Sequence, residues 1–173
     1  MENTAIELSQ KGKKAFEEGD FENAIHFFSE AAKTYIKEEK TLDAAEAQNN
    51  LSVAFLQADK AKEAFEAAKG TDTLFADAND LFRQAMALGN QAAALDALGQ
   101  KDEALSLYEK SAALFGEINK GDYQEIVLKS IAAIKLRSGK LQDSAYTMLD
   151  SLGAVKKPNL FQRFLNFILR IIR

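Results

Sequence analysis

The chain has 173 residues and a mass of 19.1 kDa, the length of one ordinary domain. It contains no cysteine, no tryptophan, one proline and one histidine, which excludes disulfides, a thiol nucleophile, cysteine-bound metals and a multi-histidine centre. Apolar residues make up 47% and charged residues 28%, a globular composition, and the net charge of −4 gives no reason to expect nucleic-acid binding.

Residues 1–15 carry no apolar core of the kind a secretory signal needs. No run of 18 or more apolar residues follows, so the expectation is a cytoplasmic protein, or one on the inner face of a membrane. Internal repetition dominates what comes next. Gly19-Asp20-Phe21-Glu22-Asn23-Ala24 returns as Asp59-Lys60-Ala61-Lys62-Glu63-Ala64, as Gly99-Gln100-Lys101-Asp102-Glu103-Ala104 and as Gly139-Lys140-Leu141-Gln142-Asp143-Ser144. Each copy starts 40 residues after the last. The sixth position is always small, and four residues later stand Phe28, Ala68, Tyr108 and Met148. Upstream, a second small position reads Gly12, Ser52, Ala92, Ala132. Small residues fixed on both segments are what two closely crossing helices require.

The segments between these turns have helical periodicity. Leu51, Val53, Ala54, Phe55 and Leu56 form a broad apolar run, and Leu105, Tyr108, Ala112 and Phe115 recur three or four apart. Proline is absent from residues 1–157 and alanine is abundant. Gly19, Gly99 and Gly139 stand where a helix stops and the chain reverses, a place for positive φ, and Asp20 follows as an N-cap. The pattern predicts eight helices in four antiparallel pairs, stacked as a right-handed all-α solenoid over residues 1–153. The second repeat fits least well, because Asp59 replaces the turn glycine and Ala68 the large residue.

Over roughly residues 4–152 the chain resembles the tetratricopeptide repeat family. The resemblance rests on the small first-helix position, the Gly-Asp-Phe turn at 19–21, the second-helix alanine and the aromatics Phe28 and Tyr108. It departs from the common form in its period of 40 rather than 34 and in lacking the proline that closes each repeat, and both departures fit helices about one turn longer. The family's usual work implies a non-enzymatic adaptor or scaffold that holds a peptide or partner helix in a concave groove lined by the first helix of each repeat.

In the 40-residue register, one groove position reads Gln10, Asn50, Asn90, Ser130. An asparagine amide both donates and accepts, so it can bond a peptide backbone whatever the side chain. Asn49, Asn50 and Asn90 are the candidate groove residues, with Lys13, Gln57, Lys129 and Arg137 as neighbours and Gly89 allowing close approach beside Asn90. Some family members clamp a chaperone's C-terminal carboxylate, and Lys13 and Asn50 match that clamp. Met86 and Asn90 stand where its further cations are expected, which argues against this partner. His26, beside Phe27 and Phe28, has no ligand partners at suitable spacing and reads as a surface or packing residue. No phosphate loop and no catalytic constellation is visible, and no metal or cofactor is expected.

Residues 154–173 read as a separate amphipathic helix. Nine of the fourteen residues 160–173 are Leu, Ile or Phe, among them Phe161, Phe164, Leu165, Phe167 and Ile168. Gln162, Arg163, Asn166, Arg170 and Arg173 fall on one stripe. Residues 154–173 hold five basic residues and no acid, which leaves the remainder at a net charge of −9. Three roles fit this asymmetry: a cap on the solenoid, an anchor on an anionic membrane surface, or a contact through which copies self-associate. At about 21 Å, fourteen helical residues are too short to span a bilayer. The peripheral membrane or self-associating role is the alternative to the groove-binding adaptor.

Overall fold

A computed structural model describes residues 4–154. Among the described residues there are nine α-helices: α1 (Ala5–Glu17), α2 (Phe21–Lys37), α3 (Thr41–Gln57), α4 (Ala61–Ala68), α5 (Thr71–Asp77), α6 (Leu81–Ala97), α7 (Lys101–Glu117), α8 (Gly121–Arg137) and α9 (Leu141–Ala154). They form four successive pairs, α1 with α2, α3 with α4 and α5, α6 with α7, and α8 with α9. The four-pair solenoid is as the 40-residue repeat predicts. The expected count of eight helices is not: the second member of the second pair is broken in two.

Reversals come every 20 residues, twice as often as the sequence repeat. Gly19, Glu39, Asp59, Asn79, Gly99, Asn119 and Gly139 all take positive φ, between 56° and 79°. In each turn the amide of the next residue donates back across the reversal to a carbonyl five residues earlier. Asp20 donates to Ala15, Lys40 to Tyr35, Lys60 to Phe55, Asp80 to Phe75, Gln100 to Leu95, Lys120 to Phe115 and Lys140 to Lys135, at 2.8–2.9 Å. This is the Schellman closure, which satisfies carbonyls the ending helix leaves open. The carbonyl of that same residue then accepts the first bond of the next helix, from Ala24 to Asp20 through Ser144 to Lys140. One residue thus ends one helix and starts another. Asp20 also caps with its side chain, accepting from the Asn23 amide at 3.2 Å, as expected. Thr4 and Glu7 add a reciprocal capping box at the start of α1.

The small positions do what the crossing helices need. Ala24, Ala64 and Ala104 are fully buried, as are Ser52 and Ala92, and Gly12, Ala132 and Ser144 are buried beside them. A Cβ on Gly12 would lie 2.7 Å from the Phe28 ring, so that ring occupies the space a side chain would need. At the fourth pair the Ser144 hydroxyl donates to the Ala132 carbonyl at 2.8 Å across the same crossing. The break in the second pair falls where Lys69 leaves helical geometry (ψ 124°) and Gly70 takes φ 80°. Ala68 and Ser52, both small, face this part of the stack, and the Ser52 hydroxyl is buried with no hydrogen-bond partner among the described residues. Phe75 nevertheless ends α5 fully buried, at the register position of Tyr35 and Phe115.

The same register position should therefore respond with opposite signs. Gly12→Ala forces the Phe28 ring out of its site and should lower stability by about 1–3 kcal/mol. Ser52→Ala removes an unsatisfied buried hydroxyl and should leave stability unchanged or raise it by up to about 1 kcal/mol. Urea denaturation followed by circular dichroism checks both.

Candidate functional site

The first helices of the four pairs, α1, α3, α6 and α8, present a common row of positions. Residues 6, 10 and 13 of α1 return as 46, 50 and 53 on α3, and as 86, 90 and 93 on α6. Three recesses lie along this row. One of about 190 Å³ is lined by Ile6, Gln10 and Lys13 of α1 with Asp43, Glu46 and Asn50 of α3. A second, of about 150 Å³, sits between Lys13, Phe16, Phe28, Asn50 and Val53. The largest, about 410 Å³, opens between α3 and α5–α6, with Val53, Phe75, Phe82 and Met86 as its apolar walls and Glu46, Asn50, Arg83 and Asn90 as its polar rim.

Asn50 lines all three recesses and is half-buried. Its side chain is thus common to these three recesses. Asn49 lines the recess of about 410 Å³ as well, and there it is engaged. It is 7% exposed, lies 3.3 Å from the Thr71 hydroxyl, and accepts from the Asn90 amide at 3.4 Å. This polar cluster ties α3 to α5 and α6 beneath the cavity, while the Thr71 hydroxyl closes on the Ala68 carbonyl at 2.7 Å. Gly89 faces the Ser111 hydroxyl, 3.4 Å from where its Cβ would be, and so gives room to α7.

Charges of alternating sign run across the recesses. The Lys13 ammonium is 3.9 Å from the Glu46 carboxylate, and Arg83 approaches the same carboxylate at 3.4 Å. The Arg83 guanidinium lies over the Phe75 ring, 4.9 Å from its centroid, and Nε donates to Asp80 at 2.7 Å. Asp80 also caps α6, accepting from the Arg83 amide at 3.0 Å. That backbone bond, helped by the guanidinium, holds the Asp80 carboxyl below its ordinary value of 3.8. Sequence reasoning did not single out Arg83, Glu46 or Phe82; in the 40-residue alignment they stand in other rows than Lys13 and Asn50, on the same first helices.

The remaining candidates are placed as follows. Arg137 is engaged with Asp96 through contacts of 2.9 and 2.7 Å, bridging α8 to α6. Lys129 pairs with Glu125 at 2.6 Å on its own helix. Gln57 is exposed at the end of α3, and none of these three lines the recesses described. His26 is exposed on α2, its ring 5.4 Å from that of Phe27. Phe161, Arg163, Phe164, Leu165, Phe167, Ile168, Arg170 and Arg173, with the expected C-terminal helix, lie outside the described residues. Among the described residues no cluster of three or more metal-ligating side chains occurs, and no helix is long and apolar enough to cross a membrane.

No protein-family profile and no curated protein matches the sequence. Solved structures do. A Podosopora anserina protein described as a kinesin light chain with nearly identical TPR-like repeats aligns with a TM-score of 0.77 at 14% identity, over 95% of this chain and 84% of that one. The apo form of RapI aligns at 0.79 and 13% identity, over 98% of this chain and 47% of its own length. BtubC from P. vanneervenii aligns at 0.70 and 14% identity, over 96% of this chain and 64% of that chain. The chain has the tetratricopeptide repeat fold. This TPR-type solenoid carries the three recesses described along the first helices of its first three pairs.

The Asp80 cap gives the site a pH dependence of known sign. Its depressed value means the stabilisation is complete above the ordinary carboxylate range and is lost as pH falls through the folded-state value. Asp80→Asn keeps a capping oxygen but no titrating charge. It should be less stable than the unsubstituted protein at pH 7, with the difference closing as pH falls below 3.8 in thermal melts.

Proposed function

We propose that the protein is a non-enzymatic interaction scaffold that takes an extended peptide or a partner helix along the row formed by α1, α3, α6 and α8. The observation that carries this reading is the cavity of about 410 Å³ with apolar walls and Asn50 at its rim. Val53, Phe82 and Met86 are half-buried there, so part of their apolar surface is free to receive a side chain. Among the described residues no hydrogen bond engages the Asn50 side-chain amide, which leaves a donor and an acceptor for a peptide bond of the partner. Glu46 and Arg83 on either side supply opposite charges that fix direction and register.

The likeness to TPR-like repeat structures supports the reading at the level of the fold. Arg137 and Lys129 do not enter it, because Asp96 and Glu125 hold them. The anchor is an apolar side chain between Val53, Phe75, Phe82 and Met86, and the partner's backbone bonds to Asn50.

Peptides selected from a random 15-residue display library against the full chain provide the test, with affinity measured by fluorescence anisotropy. Met86→Glu and Asn50→Ala should each weaken the selected peptides by about tenfold or more, the scale of a binding hot spot. His26→Ala, on the exposed face of α2, should leave affinity unchanged. Binding that ignores Met86→Glu and Asn50→Ala but falls with His26→Ala would place the site in the recess between α1 and α2 and sink the proposal.

A further inference from the structure

Two asparagine amides meet at the wall of the recess of about 410 Å³, and each keeps one end unpaired. The Asn90 amide nitrogen donates to the Asn49 carbonyl oxygen at 3.4 Å, and the Thr71 hydroxyl lies 3.3 Å from that same oxygen. Among the described residues nothing engages the Asn49 amide nitrogen or the Asn90 carbonyl oxygen. Asn49 is 7% exposed and lines the recess, so the recess is the outlet for its spare donors. A buried amide N–H without an acceptor has lost its water and gained nothing, a cost that a bound acceptor removes. Turning both amides over exchanges their roles and leaves the same inventory. Asn49 then donates to Asn90 and to Thr71, whose own hydrogen goes to the Ala68 carbonyl at 2.7 Å, and one acceptor and one donor group again remain.

The rest of the recess restricts what can meet these amides. Val53, Phe82 and Met86 form half-buried apolar walls. The Phe82 ring is fixed edge-on by Phe115 and Tyr123, with centroids 5.9 and 5.1 Å away. The cation at the rim is already engaged, since Arg83 meets Asp80 at 2.7 Å and Glu46 at 3.4 Å. The matching occupant has an apolar body and a neutral tip that donates and accepts at once. Leucine, methionine and phenylalanine fill the walls but leave both amides unpaired. Serine and threonine supply the hydroxyl without the body, and the indole of tryptophan only donates. A phenol does both.

We infer that the recess is a tyrosine pocket: a tyrosine of the partner segment enters with its ring between Val53, Phe82 and Met86 and its hydroxyl bridging Asn49 and Asn90. The hydroxyl accepts from one amide and donates to the other, closing the gap that the single Asn90–Asn49 bond leaves open. The Met86 thioether lies against the ring, a favourable contact for sulfur. This rests on the groove reading above and names the anchor of its partner; Asn50 remains free for the partner's backbone. A site that bonds a hydroxyl rejects the analogue lacking it more sharply than an apolar pocket sorts by size, because the loss strands its own polar groups.

The probes are the 15-residue peptides selected against the full chain, restricted to those whose binding Met86→Glu weakens. These should carry a tyrosine, and replacing it by phenylalanine should weaken binding to the unsubstituted protein by about tenfold or more in fluorescence anisotropy. Against Asn90→Ala the two peptides should bind within about threefold of each other, because the coupling between hydroxyl and amide is gone. A purely structural role for Asn90 would instead weaken both peptides equally and keep their ratio. Peptides that depend on Met86 but are anchored by leucine or phenylalanine, or that bind equally with tyrosine and phenylalanine, would overturn the tyrosine pocket and leave the groove reading standing. An unchanged ratio in Asn90→Ala would also overturn it. If no selected peptide responds to Met86→Glu, both readings fall together.

Discussion

The stack hangs on a reversal repeated every 20 residues, in which a single left-handed residue turns the chain and its successor serves two helices at once. That successor, Asp20, Lys40, Lys60, Asp80, Gln100, Lys120 or Lys140, donates from its amide to the helix behind and accepts with its carbonyl from the helix ahead. Such a turn has no slack. Full-length helices of 17 residues, about 25 Å long, are therefore laid down side by side with fixed offsets. The fixed offset lets one register position be small in every pair, so Gly12 meets Phe28 and Ala132 meets Ser144. Tight turns and small residues are consequently one constraint: a looser turn would let the helices drift apart, and the alanines would then leave cavities.

The broken helix of the second pair shows what happens when the constraint is met differently. Ala68 stands where Phe28 and Tyr108 fill the crossing, and the chain bends at Lys69–Gly70 to close the space a large side chain would have occupied. Thr71, buried at the start of α5, bonds the Ala68 carbonyl and lies against Asn49. The bend costs a turn of regular helix, yet Phe75 still reaches the buried position of Tyr35 and Phe115. In doing so it lines the recess of about 410 Å³ between α3 and α5–α6. A substitution that disturbs core regularity thus coincides with the one place where the groove is deep.

The 40-residue repeat was legible because glycine marks three of its four turns, and local spacing carries the helices between them. Eight helices imply reversals near Glu39, Asn79 and Asn119 too, but the repeat alone did not place them, because glycine is absent there and only asparagine at two of the three favours positive φ. They adopt positive φ because the helices on either side dictate it. Asp59 does the same in the weakest repeat. Lys13, Asn50 and Asn90 were legible as positions on one face of the first helices, but the pairing of the charges around them was not. Arg137 meets Asp96 and Arg83 meets Glu46 across some forty residues, and only the stacked offset of neighbouring repeats brings them together. Asn49 and Asn50 are adjacent in sequence and about 100° apart on the helix, so Asn49 is buried in a bonded cluster at one recess while Asn50 lines all three.

A repeated fold separates two kinds of position more cleanly than a single globular core does. Positions 12, 24, 52, 64, 92, 104, 132 and 144 are all small because a neighbouring helix lies against each of them. Positions 6, 46, 86 and 126 stand outside these crossings and read Ile, Glu, Met and Ile. Variation along that second row changes what the groove presents without altering the spacing of the helices, since backbone turns and small residues alone set the spacing. Recognition can therefore differ from one end of the stack to the other. Mixed charge surrounds Glu46 and Arg83 near the middle, and Tyr123 and Ile126 leave a more apolar surface on α8. A partner long enough to cross several helices would meet these zones in sequence, and its order of charged and apolar residues, rather than any single contact, would set its fit.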